Sequence, residues 1–266
     1  MKKTKKYLDK FLNLRSSADI LGILYPISSG TEKEVSEAWT VYKKLDYIRE
    51  NPDNYNVLDL CAGNPVTSLL IRFNLPVTYV TSIDKKPVVR NYSKIRNYEY
   101  IEKNIYDEDI FKYINEKTVI ISTHPCKKLA IRVVEIFKNS NAKALHLMPC
   151  CHGVVPDWPQ KRFLIDTLGK YLTWCYWLAS QCDGTLEVDT KCLSPKNVII
   201  SSKTKKLETK EDVLKKLETR ENACKKLQDI GIVLSTKTLT GKTTGEWMEW
   251  FNVTFEDLEA AYKENK

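Results

Sequence analysis

No run in this sequence is apolar enough for long enough to span a bilayer, and the basic start MKKTKKYLDKFLNL lacks the apolar core of a secretion signal. Both absences lead us to expect a cytoplasmic protein with no membrane partner. A disulfide framework is not needed at 266 residues, so the eight cysteines (61, 126, 150, 151, 175, 182, 192 and 224) are expected to be reduced thiols. Histidine is scarce, with three in the chain. The G-x-G-x-x-G turn of a dinucleotide site is missing as well. What remains is the composition of an ordinary globule, 42% hydrophobic and 29% charged, with a formal net charge of +8. That charge suits a polyanion such as RNA or DNA, and it equally suits a lysine-rich solvated surface.

Residues 1–50 read as helical. Tyr7, Phe11, Leu12 and Leu14 stand at helical spacing, and a second helix is expected from about Glu32 to Arg49, capped by Ser29 or Thr31. Asn51-Pro52-Asp53-Asn54 then breaks it. Beyond this break strands and helices alternate: NVLDLCAG, VTYVTSID, YEYIEKNI, KTVIISTH and AKALHLMP are strands, with helices between most of them. KRFLIDTLGKYLTWCYWLAS is a long amphipathic helix, and TLEVDTKCL and KNVIISSK form a closing hairpin. Near-continuous apolar strands imply burial on both faces. The expected fold is α/β, a doubly wound, mostly parallel seven-stranded sheet with a terminal β-hairpin, N-terminal helices and a helical C-terminal extension. The expected divisions are 1–54, 55–203 and 204–266, the last basic and charge-rich.

Asp59 ends the first strand of the alternating region, Gly63 stands in the turn that follows, and Asp84 ends the next strand. Such a glycine lets the backbone approach a ligand, and an acid at the second strand end can accept hydrogen bonds from both hydroxyls of a ribose. The turn itself, Cys61-Ala62-Gly63-Asn64-Pro65-Val66, has only one of the three glycines a pyrophosphate would need. A carboxylate with no phosphate cradle suits a cationic, phosphate-free ligand, and it disfavours a nicotinamide-dependent oxidoreductase.

Taken in order, VLDLCAGNP, SIDKKP, EKNIYDED, IISTHPC and HLMPCCHG resemble the successive motifs of class I S-adenosylmethionine-dependent methyltransferases over about residues 55–203. The resemblance implies S-adenosyl-L-methionine as cofactor, with Asp59, Cys61 and Gly63 along its methionine part and Asp84 on the ribose. Asn104 and Ile105 would stand at the adenine, where Asn104 replaces a common Asp. Asn64, Lys85 and Thr123 would complete the lining. The glycine-rich loop of the family is mostly lost. Within the family, His-x-Cys after strand four and Pro-Cys-Cys-x-Gly after strand five are similar to a small branch that includes tRNA methyltransferase-like proteins. This favours RNA, tRNA in particular, as substrate. A non-catalytic module that binds the cofactor or RNA, and a methyltransferase acting on small molecules or proteins, are the alternatives.

The ends of strands four and five carry Thr123-His124-Pro125-Cys126 and Pro149-Cys150-Cys151-His152-Gly153. In an open α/β sheet both ends face the ligand crevice. His124, Cys126, Cys150, Cys151 and His152 are therefore the candidate catalytic residues, expected to converge in one pocket. Three chemistries could use them. A histidine could act as general base on a hydroxyl or amine, a cysteine could add to a pyrimidine ring, or the cysteines with His152 could bind zinc. They rank in that order, and no metal site is assigned. Trp174 and Trp177 are expected to pack in the core, as is Trp158, while Trp247, Trp250 and Phe251 are expected to dock the tail. The lysines from Lys203 to Lys216 are the best phosphate contacts if RNA binds.

Overall fold

The computed structural model describes residues 6–26, 30–87, 90–157 and 161–204. The expected extension beyond Thr204, with Trp247, Trp250, Phe251 and the lysines from Lys205 on, lies outside the described residues, as do Ser29 and Trp158. The chain divides into a unit Met1–Thr204 and a unit Lys205–Lys266.

Seven strands form one sheet: β1 (Asn56–Leu60), β2 (Tyr79–Asp84), β3 (Tyr98–Glu102), β4 (Thr118–Thr123), β5 (Ala144–Met148), β6 (Thr185–Val188) and β7 (Val198–Lys203). Their spatial order is β3-β2-β1-β4-β5-β7-β6. The four pairings among β1 to β5 are parallel, and β7 is antiparallel to both β5 and β6. The sheet is thus mixed, which corrects the expected mostly parallel one. The cause is the terminal hairpin: two strands joined by a short connection can pair only antiparallel, whereas parallel neighbours need a crossover.

Helices cover both faces, and strand alternation decides which residue meets which layer. Val57, Val80, Val119 and Ile121 pack with α1 (Lys6–Leu12), α2 (Ser17–Ile23), α3 (Thr31–Tyr42) and α4 (Val66–Asn74). Leu58, Leu60, Ile120, Leu145 and Leu147 face the other way, onto α5 (Lys128–Lys138) and α6 (Lys161–Gln181). Tyr7 and Phe11 are buried as their spacing suggests, while Leu12 is exposed. The expected helix of residues 32–49 starts on Gly30 rather than a side-chain cap and tightens to a 3-10 helix over Lys43–Glu50 before Asn51-Pro52. Its apolar face, Val35, Ala38, Val41, Tyr42, Leu45 and Ile48, is buried throughout. The long helix α6 breaks at Gly169, whose φ of 77° lies in the left-handed region. Trp174 is wholly buried and stacks on the half-buried Trp177 at 5.2 Å between ring centres.

The third histidine, His146, lies inside this sheet, its Nδ1 2.9 Å from Ser201 Oγ and its Nε2 3.3 Å from Tyr47 Oη. Strand order reverses between β1 and β4, and ligands of open α/β sheets bind outside the carboxyl ends at such a point. Among the described residues no helix is long and apolar enough to cross a membrane.

Candidate active site

After Leu60 the chain turns sharply. Cys61 (φ 61°) and Gly63 (φ 50°) both adopt left-handed backbone, free of penalty for glycine and costly for cysteine. The turn is fastened to β2: Ala62 N–H donates to Ile83 O at 3.0 Å, and Gly63 N–H donates to Asp84 Oδ2 at 2.9 Å. Lys86 N–H occupies Asp84 Oδ1 at 2.9 Å. Each carboxylate oxygen keeps a further lone pair, enough to accept a ribose hydroxyl. Tyr100 Oη–H donates to Gly63 O at 2.9 Å and closes the same turn from β3.

Asp59 is fully buried, with Ser68 Oγ–H donating to its Oδ2 at 2.5 Å. Burial pushes its carboxyl up to about 7, the charge of Asp84 adds to this, and the Ser68 hydrogen bond opposes it. Its other oxygen, Oδ1, has no hydrogen-bond partner. A buried acceptor without a donor is costly unless something fills the space beside it.

That space is a cavity of about 510 Å³. Asp59, Cys61, Gly63 and Asn64 border it from β1 and its turn, Asp84 and Lys85 from β2. Asn104 and Ile105 join from the loop after β3, and Thr123 from the end of β4. All nine residues singled out for the cofactor thus meet around one cavity. Glu34 and Glu37 of α3 border it too, so four carboxylates, with the exposed lysines Lys33, Lys85 and Lys86, line a space with no glycine-rich phosphate cradle. An adenosine ligand that carries a positive charge and no phosphate fits this donor and acceptor set: Asp84 would hold the ribose and Asp59 would face the cationic end.

The other wall is chemically different. His124, at φ 68°, donates its N–H to Met148 O at 2.8 Å, tying the end of β4 to β5. Its ring borders the cavity, with Nε2 2.9 Å from Oε1 of Glu37, a carboxylate almost wholly buried on α3. Burial raises the affinity of Glu37 for protons, but contacts with His124, Ser194 and Lys33 outweigh it and hold the group below the ordinary carboxylate range. Glu37 escaped the sequence reading. Its only signal was an acid flanked by Val35, Ala38 and Val41 on a buried helix face.

The five candidate catalytic residues do not all share the pocket. His124 and Cys126 border the cavity. Cys150 and Cys151 reach Cys126 through their sulfurs, at 2.9 Å and 3.9 Å, but lie beside the cavity rather than on it. His152 is exposed and outside the lining. Burial, with the charges of Asp84 and Asp59, pushes the Cys61 thiol up to about 12, and burial beside two other thiols pushes Cys150 up. Protonated thiols are poor nucleophiles, which weakens the reading in which one of these attacks a pyrimidine. Gly153 is there for closeness: a Cβ would stand 2.5 Å from the Trp174 ring.

Residues 32–157 match the family model described as a methyltransferase domain. No curated protein matches the sequence significantly. Among solved structures the chain is similar to the 23S rRNA methyltransferase ErmE, with 12% identity over 71% of this chain and 77% of that one and a TM-score of 0.41. It is also similar to the methyltransferase domain of bacterial CtHen1-CN, with 13% identity over 64% and 99% of the two chains and a TM-score of 0.41. A candidate sarcosine dimethylglycine methyltransferase from Galdieria sulphuraria shares 12% identity over 58% of this chain, with a TM-score of 0.40, and this chain covers 64% of its length. The matched model describes a methyltransferase domain, and the cofactor of that enzyme class is S-adenosyl-L-methionine.

Proposed function

We propose that the protein transfers a methyl group from S-adenosyl-L-methionine to a hydroxyl or amine of a structured RNA, tRNA being the acceptor class. The observation that carries the chemistry is the His124 imidazole at the cavity wall with a buried carboxylate 2.9 Å behind it. When bound, the cofactor supplies an electrophilic methyl group on a sulfonium. The protein must take a proton from the acceptor as it attacks, and a positioned histidine is the usual group for that task. The buried carboxylate of Glu37, 2.9 Å from Nε2, stabilises the imidazolium that forms. The formal charge of +8, with Lys33, Lys85 and Lys86 at the cavity rim, supports a phosphate-bearing acceptor.

Two measurements test this reading. Titration calorimetry of the full chain should give binding of S-adenosyl-L-methionine and of its demethylated product, and none of NAD. Labelled methyl transfer should then reach a total tRNA pool, with a rate that falls steeply as salt rises. Absence of cofactor binding at millimolar concentration overturns the enzymatic reading. Label entering small molecules or protein, with tRNA left unlabelled, overturns the choice of acceptor.

A further inference from the structure

We infer that Cys126, Cys150 and Cys151 form a three-thiolate site for one zinc ion, with the fourth coordination position left open. The sulfurs lie at the corners of a small triangle: Cys126 to Cys150 2.9 Å, Cys150 to Cys151 3.4 Å and Cys126 to Cys151 3.9 Å. Two of these distances are shorter than the roughly 3.5–4.0 Å at which non-bonded carbon atoms come to rest. Core packing does not account for them. The cysteines that pack as small hydrophobes, Cys175, Cys182 and Cys192, are buried, whereas Cys126 is exposed and Cys150 and Cys151 are half-buried.

The loop also bends to bring the sulfurs together. His124 and Lys127, on either side of the Pro125-Cys126 pair, both hold left-handed backbone, at φ 68° and 46°. Cys150 Sγ further approaches His124 O at 3.4 Å, joining the two strand-end loops. No other group of three His, Cys, Asp or Glu side chains among the described residues brings its ligand atoms together this closely.

The triangle approximates one face of a tetrahedral site: zinc about 2.3 Å from each sulfur holds them roughly 3.8 Å apart, so Cys126 and Cys150 would open from 2.9 Å on binding. A zinc about 2.3 Å from each sulfur would sit about 1 Å above the plane of the three, with its fourth position facing outward. Thiolate donors select zinc over hard cations such as magnesium or calcium. Three S–H bonds break, three S–Zn bonds form and three protons pass to solvent, with no change of oxidation state. His152 is exposed and outside the triangle, so three protein ligands and one exchangeable position describe the site. Cys126 belongs both to this triangle and to the cavity wall, which sets the ion beside His124.

The test uses the full chain, purified under reducing conditions without chelator. Metal analysis should find one zinc per chain. Replacing it with cobalt chloride should produce the near-ultraviolet thiolate-to-cobalt band and the intense visible bands of a tetrahedral site. Cys126→Ser, Cys150→Ser and Cys151→Ser should each weaken zinc uptake by tenfold or more, while Cys182→Ser and His152→Ala leave it unchanged. Thermal melting confirms which variants are folded, and the exposed Cys126 is the position where serine disturbs packing least. Folded, reduced protein that takes up neither zinc nor cobalt overturns the site. So does zinc uptake unchanged in Cys126→Ser, or a Cys126–Cys150 disulfide that peptide mapping recovers from protein kept reduced. None of these readouts depends on methyl transfer, so the site and the proposed function can fail separately.

Discussion

The two walls of the cavity are built differently. The cofactor wall comes from the ends of the four strands β1 to β4, and its key contact is local to the sheet edge: Gly63 N–H on Asp84, fixed by the parallel register of β1 and β2. The opposite wall comes from α3 and the loop after β4, backed by the loop after β5, and these adjoin only once the helices pack on the sheet. On the first wall backbone N–H groups do most of the holding. On the second, side chains face one another across chain segments: Glu37 on His124, Cys126 on Cys150 and Cys151. Binding and chemistry should therefore separate under mutation, the first wall governing affinity and the second governing turnover.

The largest expected effect is at the second wall. His124→Ala should lower kcat by about 10²–10⁴-fold, the usual contribution of a general base, with cofactor Kd nearly unchanged by calorimetry. Glu37→Gln should lower kcat less, because it leaves the imidazole but removes the charge behind it. Should either variant weaken cofactor binding as much as turnover, the division between the walls breaks down.

Asp84→Ala probes the opposite wall. Losing an acceptor for two hydroxyls should weaken cofactor binding by about 1–3 kcal/mol, read as Kd, with a smaller change in kcat at saturating cofactor. Gly153→Ala tests the support beneath the second wall. Its methyl group would meet the Trp174 ring at 2.5 Å, and overpacking of this kind costs about 1–3 kcal/mol in denaturant unfolding.

The smallest effect concerns Asp59 and pH. Its carboxyl in the folded protein titrates near 7, well above its unfolded value, so the folded state binds the extra proton between about 4 and 7. This group's contribution to stability is present below that window and is lost as pH rises through it. A cationic cofactor favours the ionised form. Affinity should thus tighten on the order of tenfold between pH 6 and pH 8, one unit of pKa being 1.36 kcal/mol. Asp59→Asn should abolish that dependence, and a flat wild-type profile would separate Asp59 from the cofactor's charge.

Residue order alone was enough to mark the five parallel strands, the acids ending β1 and β2, and the glycine between them. Apolar runs and strand-end positions are properties of contiguous residues, and the sheet's alternation carries them into space unchanged. The same reading expected a mostly parallel sheet, because it could not weigh how the final hairpin inserts β7 beside β5. It placed His152 with the catalytic group, although the chain after Cys151 turns that residue to solvent. Glu37, the partner of His124, and the meeting of three sulfurs from two loops were decided by tertiary structure. Both depend on α3 and the strand-end loops closing on one sheet, and no periodicity in the chain records which distant side chains such packing brings within reach.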